Sequence, residues 1–442
     1  MKLAIIGMGV MGRNLALNFR DAGHQCVVWD PWPQARNWTA EGFEVCDTLE
    51  TLVSSLPVPS IVLLMVKSGP PVFELTEKLI GLLEKGDIII DGGNSHYVDT
   101  MTNAMLCRKR GINFAGLGVS GGAEGARSGP SMMLGCAAEM RIMLEPLLAN
   151  VAARHDGQAC LGWFGEGGAG HFVKMVHNGI EYAIMQAIAE SWQLLELTGL
   201  TSFAAGRQLE IWSRGPLAGY LMEISGDVLQ ASDASSETLL IDLVDDAAGQ
   251  KGTGGWCVSE AVNLGVPVPS IMAAVTMRQV SSHEVLRVLP EHRPETDTDI
   301  TAEAVHDALV CAVALALAQG AHLLTVASQE NDWRIQLAEA ARVWRQGSIL
   351  RMAMLDMFAD PAALFDMASE HSSGLRLSVA AASTAAVPVP VMSASLAYLD
   401  SCAADQLPTA LVQLQRDRFG AHGLKHRETG EMFHGPWHEG ET

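Results

Sequence analysis

Lys2-Leu3-Ala4-Ile5-Ile6-Gly7-Met8-Gly9-Val10-Met11-Gly12 opens the chain and decides its fold class. A short apolar run enters a Gly-x-Gly-x-x-Gly turn, and residues 13–22 continue with helical spacing. The first glycine permits a tight turn, the second lets a pyrophosphate approach the backbone, and the third allows close helix–strand packing. The following helix N-terminus offers N–H donors to an anion. Three glycines alone are a weak signal; strand, turn and helix in this order make a dinucleotide site. Asp30 ends the next strand-like run, where a carboxylate accepts hydrogen bonds from ribose hydroxyls. A 2′-phosphate there meets like charge, at a cost of about 4 kcal/mol for a separation of about 4 Å and a dielectric near 20. That favours NAD over NADP, with NADP still possible. Arg36 is the cation that opposes this reading, and the plain alternative for Asp30 is a turn residue before Pro31.

Outward from this turn, residues 3–7, 26–30, 60–66, 87–91 and 112–116 read as short strands with helical stretches between them. The alternation predicts an N-terminal Rossmann-type, doubly wound α/β domain over residues 1–167. After Gly167-Gly168 long Ala-, Leu- and Met-rich helices predict an all-helical domain over residues 168–404. Val266-Pro267-Val268-Pro269 recurs as Val387-Pro388-Val389-Pro390, which suggests an internal repeat. Residues 405–442, rich in Gly, His and charge, read as an extended C-terminal tail.

The 442 residues suffice for two or three domains, and 48% apolar with 18% charged residues describes a globular chain. A net charge of −21 without any Lys/Arg run argues against nucleic-acid binding, though a few convergent cations can still hold a small anion. Eight cysteines with no Cys-x-x-Cys pair indicate neither a zinc site nor a disulfide scaffold, and fit a reduced cytoplasmic enzyme. The apolar run over residues 308–318 is short and reads as a buried helix, not a membrane span.

His171-Phe172-Val173-Lys174-Met175-Val176-His177-Asn178-Gly179-Ile180-Glu181-Tyr182 carries the chemistry. At about 100° per residue, Lys174, His177, Asn178, Glu181 and Tyr182 share a sector roughly 140° wide on an otherwise apolar helix. Buried lysine and glutamate are costly unless paired or functional, so the stripe lines a cavity or forms a satisfied core network. Asp91-Gly92-Gly93-Asn94-Ser95 and Val119-Ser120-Gly121-Gly122 follow two of the strands and offer donors to an anion; singly, each is equally a plain turn.

Together these motifs resemble the 6-phosphogluconate dehydrogenase family over essentially the whole length. The further marks are Gly125-Ala126-Arg127, Ala248-Gly249-Gln250-Lys251-Gly252-Thr253-Gly254 with Trp256, Arg278, Trp344-Arg345, Gln415-Arg416-Asp417 and Phe419-Gly420-Ala421-His422. The resemblance implies metal-independent oxidative decarboxylation of 6-phosphogluconate to ribulose 5-phosphate and CO2, a pentose phosphate pathway step. It implies Lys174 as general base and Glu181 as the acid that protonates C1. His177 and Asn178 would hold substrate hydroxyls, Ser120, Gly121 and Gly122 the carboxylate, and Tyr182, Lys251, Thr253 and Arg278 the phosphate. Asn94 would lie between substrate and nicotinamide; Gly7, Gly9, Val10, Met11, Gly12, Asp30, Val66 and Lys67 would complete the cofactor site. Arg416 and His422 would reach the site of a neighbouring subunit, which implies a homodimer with shared active sites.

There are departures. NADP-using relatives commonly carry Asn-Arg-Thr where this chain has Asp30-Pro31-Trp32, and Gly255 stands where lysine is frequent. The stretch after Arg278 is short and acidic, with Glu291, Glu295, Asp297 and Asp299. Two other readings compete: a β-hydroxyacid dehydrogenase acting on a non-phosphorylated acid, and a non-catalytic sensor of NAD or a sugar acid. The phosphate residues oppose the first, and the retained Lys174 and Glu181 oppose the second.

Overall fold

The computed structural model describes residues 1–31, 38–287 and 299–438. Arg36, Trp32, Glu291, Glu295 and Asp297 lie outside them. The chain divides into two compact units, Met1–Ser395 and Leu396–Thr442.

The first unit begins with β1 (Lys2–Ile6), α1 (Val10–Asp21), β2 (Gln25–Trp29), β3 (Glu44–Val45), α2 (Leu49–Ser54), β4 (Ile61–Leu64) and α3 (Pro70–Ile80). It continues with β5 (Ile88–Asp91), α4 (Tyr97–Arg108), β6 (Asn113–Ser120), α5 (Gly122–Ser128), β7 (Ser131–Gly135) and α6 (Ala138–Ala149). A hairpin of β8 (Arg154–His155) and β9 (Gln158–Ala159) precedes β10 (Leu161–Gly165). The sheet order is β10-β7-β6-β5-β4-β1-β2-β3, reversing direction of travel at β1, as a doubly wound sheet does. Successive side chains go to opposite faces. Leu3, Ile5, Leu63 and Ile90 pack with Leu15, Phe19 and Leu144 on one side, and Ala4, Ile6, Val62 and Ile89 with Leu52, Leu75 and Leu79 on the other. Cover on both faces is why these strands are apolar throughout.

All five expected strands are present. The sequence reading lacks β7 and β10, and β7 runs antiparallel to β6. Only the short α5 separates those two strands, too little chain for a parallel crossover.

The helical part comprises α7 (Ala169–Leu197), α8 (Ser202–Trp212), α9 (Tyr220–Gln230), α10 (Thr253–Asn263), α11 (Pro269–Ser281), α12 (Ala302–Glu330), α13 (Leu337–Trp344), α14 (Pro361–Glu370), α15 (Ser372–Thr384) and α16 (Pro390–Ala403). α12 is longer than the apolar run suggested. With a mean hydropathy of 2.0 over its most apolar window, it passes a membrane-span test by length and composition, yet 83% of that window is buried in the protein. The repeat has a structural counterpart. Each Val-Pro-Val-Pro run leads into a helix that starts at its last proline, and each is capped from a different 29-residue helix. Glu190 of α7 accepts the N–H groups of Val391 and Met392, both at 2.9 Å, while Gln319 of α12 accepts that of Ser270 at 3.1 Å.

The second unit holds the end of α16, α17 (Thr409–Gly420) and a hairpin of β11 (Leu424–Lys425) with β12 (Met432–Phe433). The expected extended tail is therefore a small folded unit, organised by side-chain hydrogen bonds that hydropathy patterning does not reveal.

Candidate active site

Lys174, His177, Asn178 and Glu181 stand at i, i+3, i+4 and i+7 of α7 and so share one face. Glycines let that face sink into the protein. A Cβ on Gly118 would lie 2.6 Å from Lys174 Cβ, and one on Gly116 would lie 3.0 Å from His171 Nδ1. These alternate positions of β6 present bare backbone to α7, the close approach that glycine in a strand allows. On α12, a Cβ at Gly320 would run into Ile180 of α7.

Lys174 is only 7% exposed. Its Nζ donates to Asn178 Oδ1 at 2.6 Å and lies 3.2 Å from His177 Nδ1. Asn178 Nδ2 donates to Asn94 Oδ1 at 3.4 Å, and His177 Nε2 sits 3.2 Å from Ser120 Oγ. Glu181 Oε2 stands 3.5 Å from His177 Nδ1. One polar chain thus runs from the turn after β5, across α7, to the end of β6.

Burial pushes the Lys174 amine down to about 8, against the opposing pull of Glu181. Burial likewise raises the Glu181 carboxyl, opposed by Lys174 and Arg278. Burial and then Lys174 hold the His177 imidazole well below its ordinary value, partly offset by Asn178. A lysine made easier to deprotonate and a carboxyl made easier to protonate on one helix face are shifted in the directions that a base and an acid require.

A second group assembles where α7, α10 and α11 meet. The Arg278 guanidinium lies 3.5 Å from the centre of the Tyr182 ring, and its Nη1 donates to the Gly249 carbonyl at 3.4 Å. Gly254 packs directly on the Tyr182 ring, placing buried Thr253 at the first turn of α10 beside it. Lys251 is exposed on the loop just before, where Gly252 adopts a left-handed φ of 91°. Tyr182, Thr253 and Arg278 are therefore brought together, with Lys251 at their rim.

The nucleotide turn behaves as its glycines require. Gly7 has a φ of +96°, a Cβ on Gly12 would run into the Gly7 carbonyl, and nothing lies within 4 Å of the Cβ position of Gly9. Gly9 is also the N-cap of α1, so open space faces free N–H groups, and a pyrophosphate fits there. Val10 and Met11 form the first turn of α1; Val66 borders Gly7, and exposed Lys67 follows it at the same sheet edge. Asp30 does more than end β2: its Oδ2 accepts the Met8 N–H at 2.7 Å and braces the glycine turn. Arg416 and His422 belong to the second unit, on and just after α17.

The sequence reading attaches no role to several neighbours. Trp344 packs edge-on against His177 with centroids 5.3 Å apart, and the Ile349 N–H reaches Ser120 Oγ at 3.4 Å. Tyr97 on α4 donates to Glu260 on α10 at 2.7 Å, joining the nucleotide half to the helical half. None of these contacts leaves a local trace in the sequence; the alternating Gly116 and Gly118 beneath α7 do, as a strand that lacks side chains on one face.

Residues 2–165 match the NAD binding domain of 6-phosphogluconate dehydrogenase, and residues 170–437 match the 6-phosphogluconate dehydrogenase C-terminal domain. The chain belongs to the 6-phosphogluconate dehydrogenase family. Among its relatives in that family, the decarboxylating 6-phosphogluconate dehydrogenase of Synechococcus elongatus is 39% identical over 466 residues, covering 99% of each chain. The NADP(+)-dependent, decarboxylating enzyme of Bacillus subtilis is 37% identical over 463 residues, again 99% of each. A solved 6-phosphogluconate dehydrogenase from Plasmodium falciparum, studied in its apo form and with NADP+ or 6-phosphogluconate, superposes with a TM-score of 0.92 at 33% identity. The match covers 99% of this chain and 100% of that one.

Proposed function

We propose that this chain oxidises and decarboxylates 6-phosphogluconate to ribulose 5-phosphate and CO2, the reaction its family membership implies. The observation that carries the mechanism is the pairing on α7 of a buried amine with a depressed pKa and a carboxyl with a raised one. Neutral Lys174 takes the C3 hydroxyl proton at Nζ. A bound nicotinamide ring supplies the hydride acceptor. The resulting 3-keto acid loses CO2 as its electron pair enters the ketone. Lys174, now an ammonium, stabilises the developing enolate oxygen, and protonated Glu181 delivers a proton to C1. His177 and Asn178 orient the hydroxyls; Ser120, Gly121 and Gly122 receive the carboxylate; Asn94 stands between substrate and nicotinamide. Tyr182, Lys251, Thr253 and Arg278 take the phosphate, and Arg416 and His422 reach the substrate from the tail of the other subunit of a homodimer. The division of labour follows residues 1–167, 168–404 and 405–442.

For the cofactor we favour NAD, bound at Gly7, Gly9, Val10, Met11, Gly12, Asp30, Val66, Lys67 and Asn94. A carboxylate held at the glycine turn supports this reading, since it opposes a 2′-phosphate. The NADP(+)-dependent Bacillus relative is the reason to test it directly. A cytoplasmic location agrees with eight free cysteines. The deciding experiment is a steady-state assay of 6-phosphogluconate and of gluconate, each with NAD+ and NADP+. The expected result is strong preference for the phosphorylated acid and for NAD+. Preference for gluconate would remove the phosphate assignment, and preference for NADP+ would remove the argument from Asp30.

A further inference from the structure

Within the single chain, the one residue that α17 buries, among the described residues, is an aspartate. Asp417 has no exposed side-chain surface, and each carboxylate oxygen accepts two hydrogen bonds. Oδ1 accepts the Gly423 N–H at 2.9 Å and His434 Nδ1 at 2.7 Å. Oδ2 accepts the Gly435 N–H and Trp437 Nε1, both at 2.9 Å. The Asp417 carbonyl accepts the Ala421 N–H at 2.9 Å and His438 Nε2 at 2.6 Å. His422 is therefore flanked by two residues, Ala421 and Gly423, whose N–H groups both end on Asp417. Gln413 closes the figure, donating to the Gly423 carbonyl at 2.8 Å and accepting from Arg416 Nη1 at 3.1 Å.

We infer that Asp417 is a positioning residue of the substrate site, locking the backbone on both sides of His422 and the presentation of Arg416. The inference rests on the assignment of Arg416 and His422 to the substrate. Asp417, His434 and His438 also lie close enough together to suggest a cation site. Hydrogen bonding argues otherwise: both carboxylate oxygens are fully engaged, and each histidine points its bonded nitrogen at an acceptor as a donor. A buried carboxylate with four donors is a structural hub whose loss leaves several N–H groups unpaired.

The test is steady-state kinetics on the full chain with Asp417→Asn, Trp437→Phe and the double variant Arg416→Ala/His422→Ala. Asp417→Asn is expected to raise KM for 6-phosphogluconate about tenfold or more while kcat and KM for NAD+ move less than about twofold. Trp437→Phe, which removes one donor and keeps an aromatic ring, should shift KM the same way by a smaller factor even if Asp417→Asn folds poorly. Added to the double variant, Asp417→Asn should change KM less than about twofold, because its effect passes through residues already removed. A fully additive effect, an equal rise in KM for NAD+, or a KM that responds to EDTA would overturn the inference. If Arg416→Ala/His422→Ala leaves KM for 6-phosphogluconate unchanged, the tail assignment fails and this inference falls with it. If the double variant raises KM and neither Asp417→Asn nor Trp437→Phe does, only the positioning role fails.

Discussion

As the proposed base, Lys174 must lose its proton before it can accept one from substrate. With the amine held at about 8, kcat/KM should rise about tenfold per pH unit below that value and level off above it. The Glu181 carboxylate favours the ammonium, so Glu181→Gln should move this limb to lower pH, read in single-turnover reduction of the nicotinamide. Lys174→Met should abolish reduction while substrate binding persists. Gly118→Ala tests the packing beneath the base: its methyl would press on Lys174 Cβ, so a stability loss of about 1–3 kcal/mol and a fall in kcat are expected. Unchanged kcat would show that the strand–helix approach is dispensable. The polar stripe of α7 was legible from periodicity because it lies within a single helix. Trp344 stands out in the sequence as a family mark, but its contact with His177 was not legible, because the two come from distant chain and no local pattern encodes that meeting.

At the level of elements, helix termini explain a buried carboxylate that the proposed chemistry does not use. Burial pushes Glu190 up to about 7, opposed by the N–H groups of Met392 and Val391 and by Gln186. A raised carboxyl pKa means that the folded state holds the proton more tightly than the unfolded chain. The carboxyl therefore costs nothing below about pH 4.5, lowers stability as pH rises, and exacts about 3 kcal/mol above about pH 7. Glu190→Gln should flatten that slope, gaining about 3 kcal/mol relative to the parent between about pH 4.5 and 7.5 in urea unfolding. A parallel pH profile for the two proteins would refute the assignment. The duplicated Val-Pro-Val-Pro starts of α11 and α16 were visible in the sequence, whereas their caps on α12 and α7 were not. The strand β7 escaped notice for a related reason. Its Met132-Met133-Leu134 core suits a helix as readily as a strand, and pairing with β6 decides between them.

Over the whole molecule, the order of architectures was readable because strand and helix periods change at Gly167-Gly168. The folding of the tail was not, since its determinants are hydrogen bonds to one aspartate and not an apolar face. If tails serve neighbouring subunits, Lys174→Met and Arg416→Ala chains mixed after denaturation and refolding should recover roughly a quarter of parental activity for random pairing of complementary sites. No recovery would mean that each tail serves its own subunit. The link between Tyr97 and Glu260 offers a separate measurement. Tyr97→Phe should loosen the attachment of α4 to α10 and raise KM for both substrate and nucleotide.

The proposed base and acid, Lys174 and Glu181, ride on one continuous helix, α7. Ligand binding therefore has little means of adjusting the backbone span between Lys174 and Glu181; under the proposed roles, proton pickup and proton delivery are geared together as teeth on a single shaft. Asn94 and Ser120, by contrast, meet that helix from separate elements, the turn after β5 and the end of β6. The 3.4 Å contact between Asn178 and Asn94 is the longer of the two links, against 3.2 Å between His177 and Ser120.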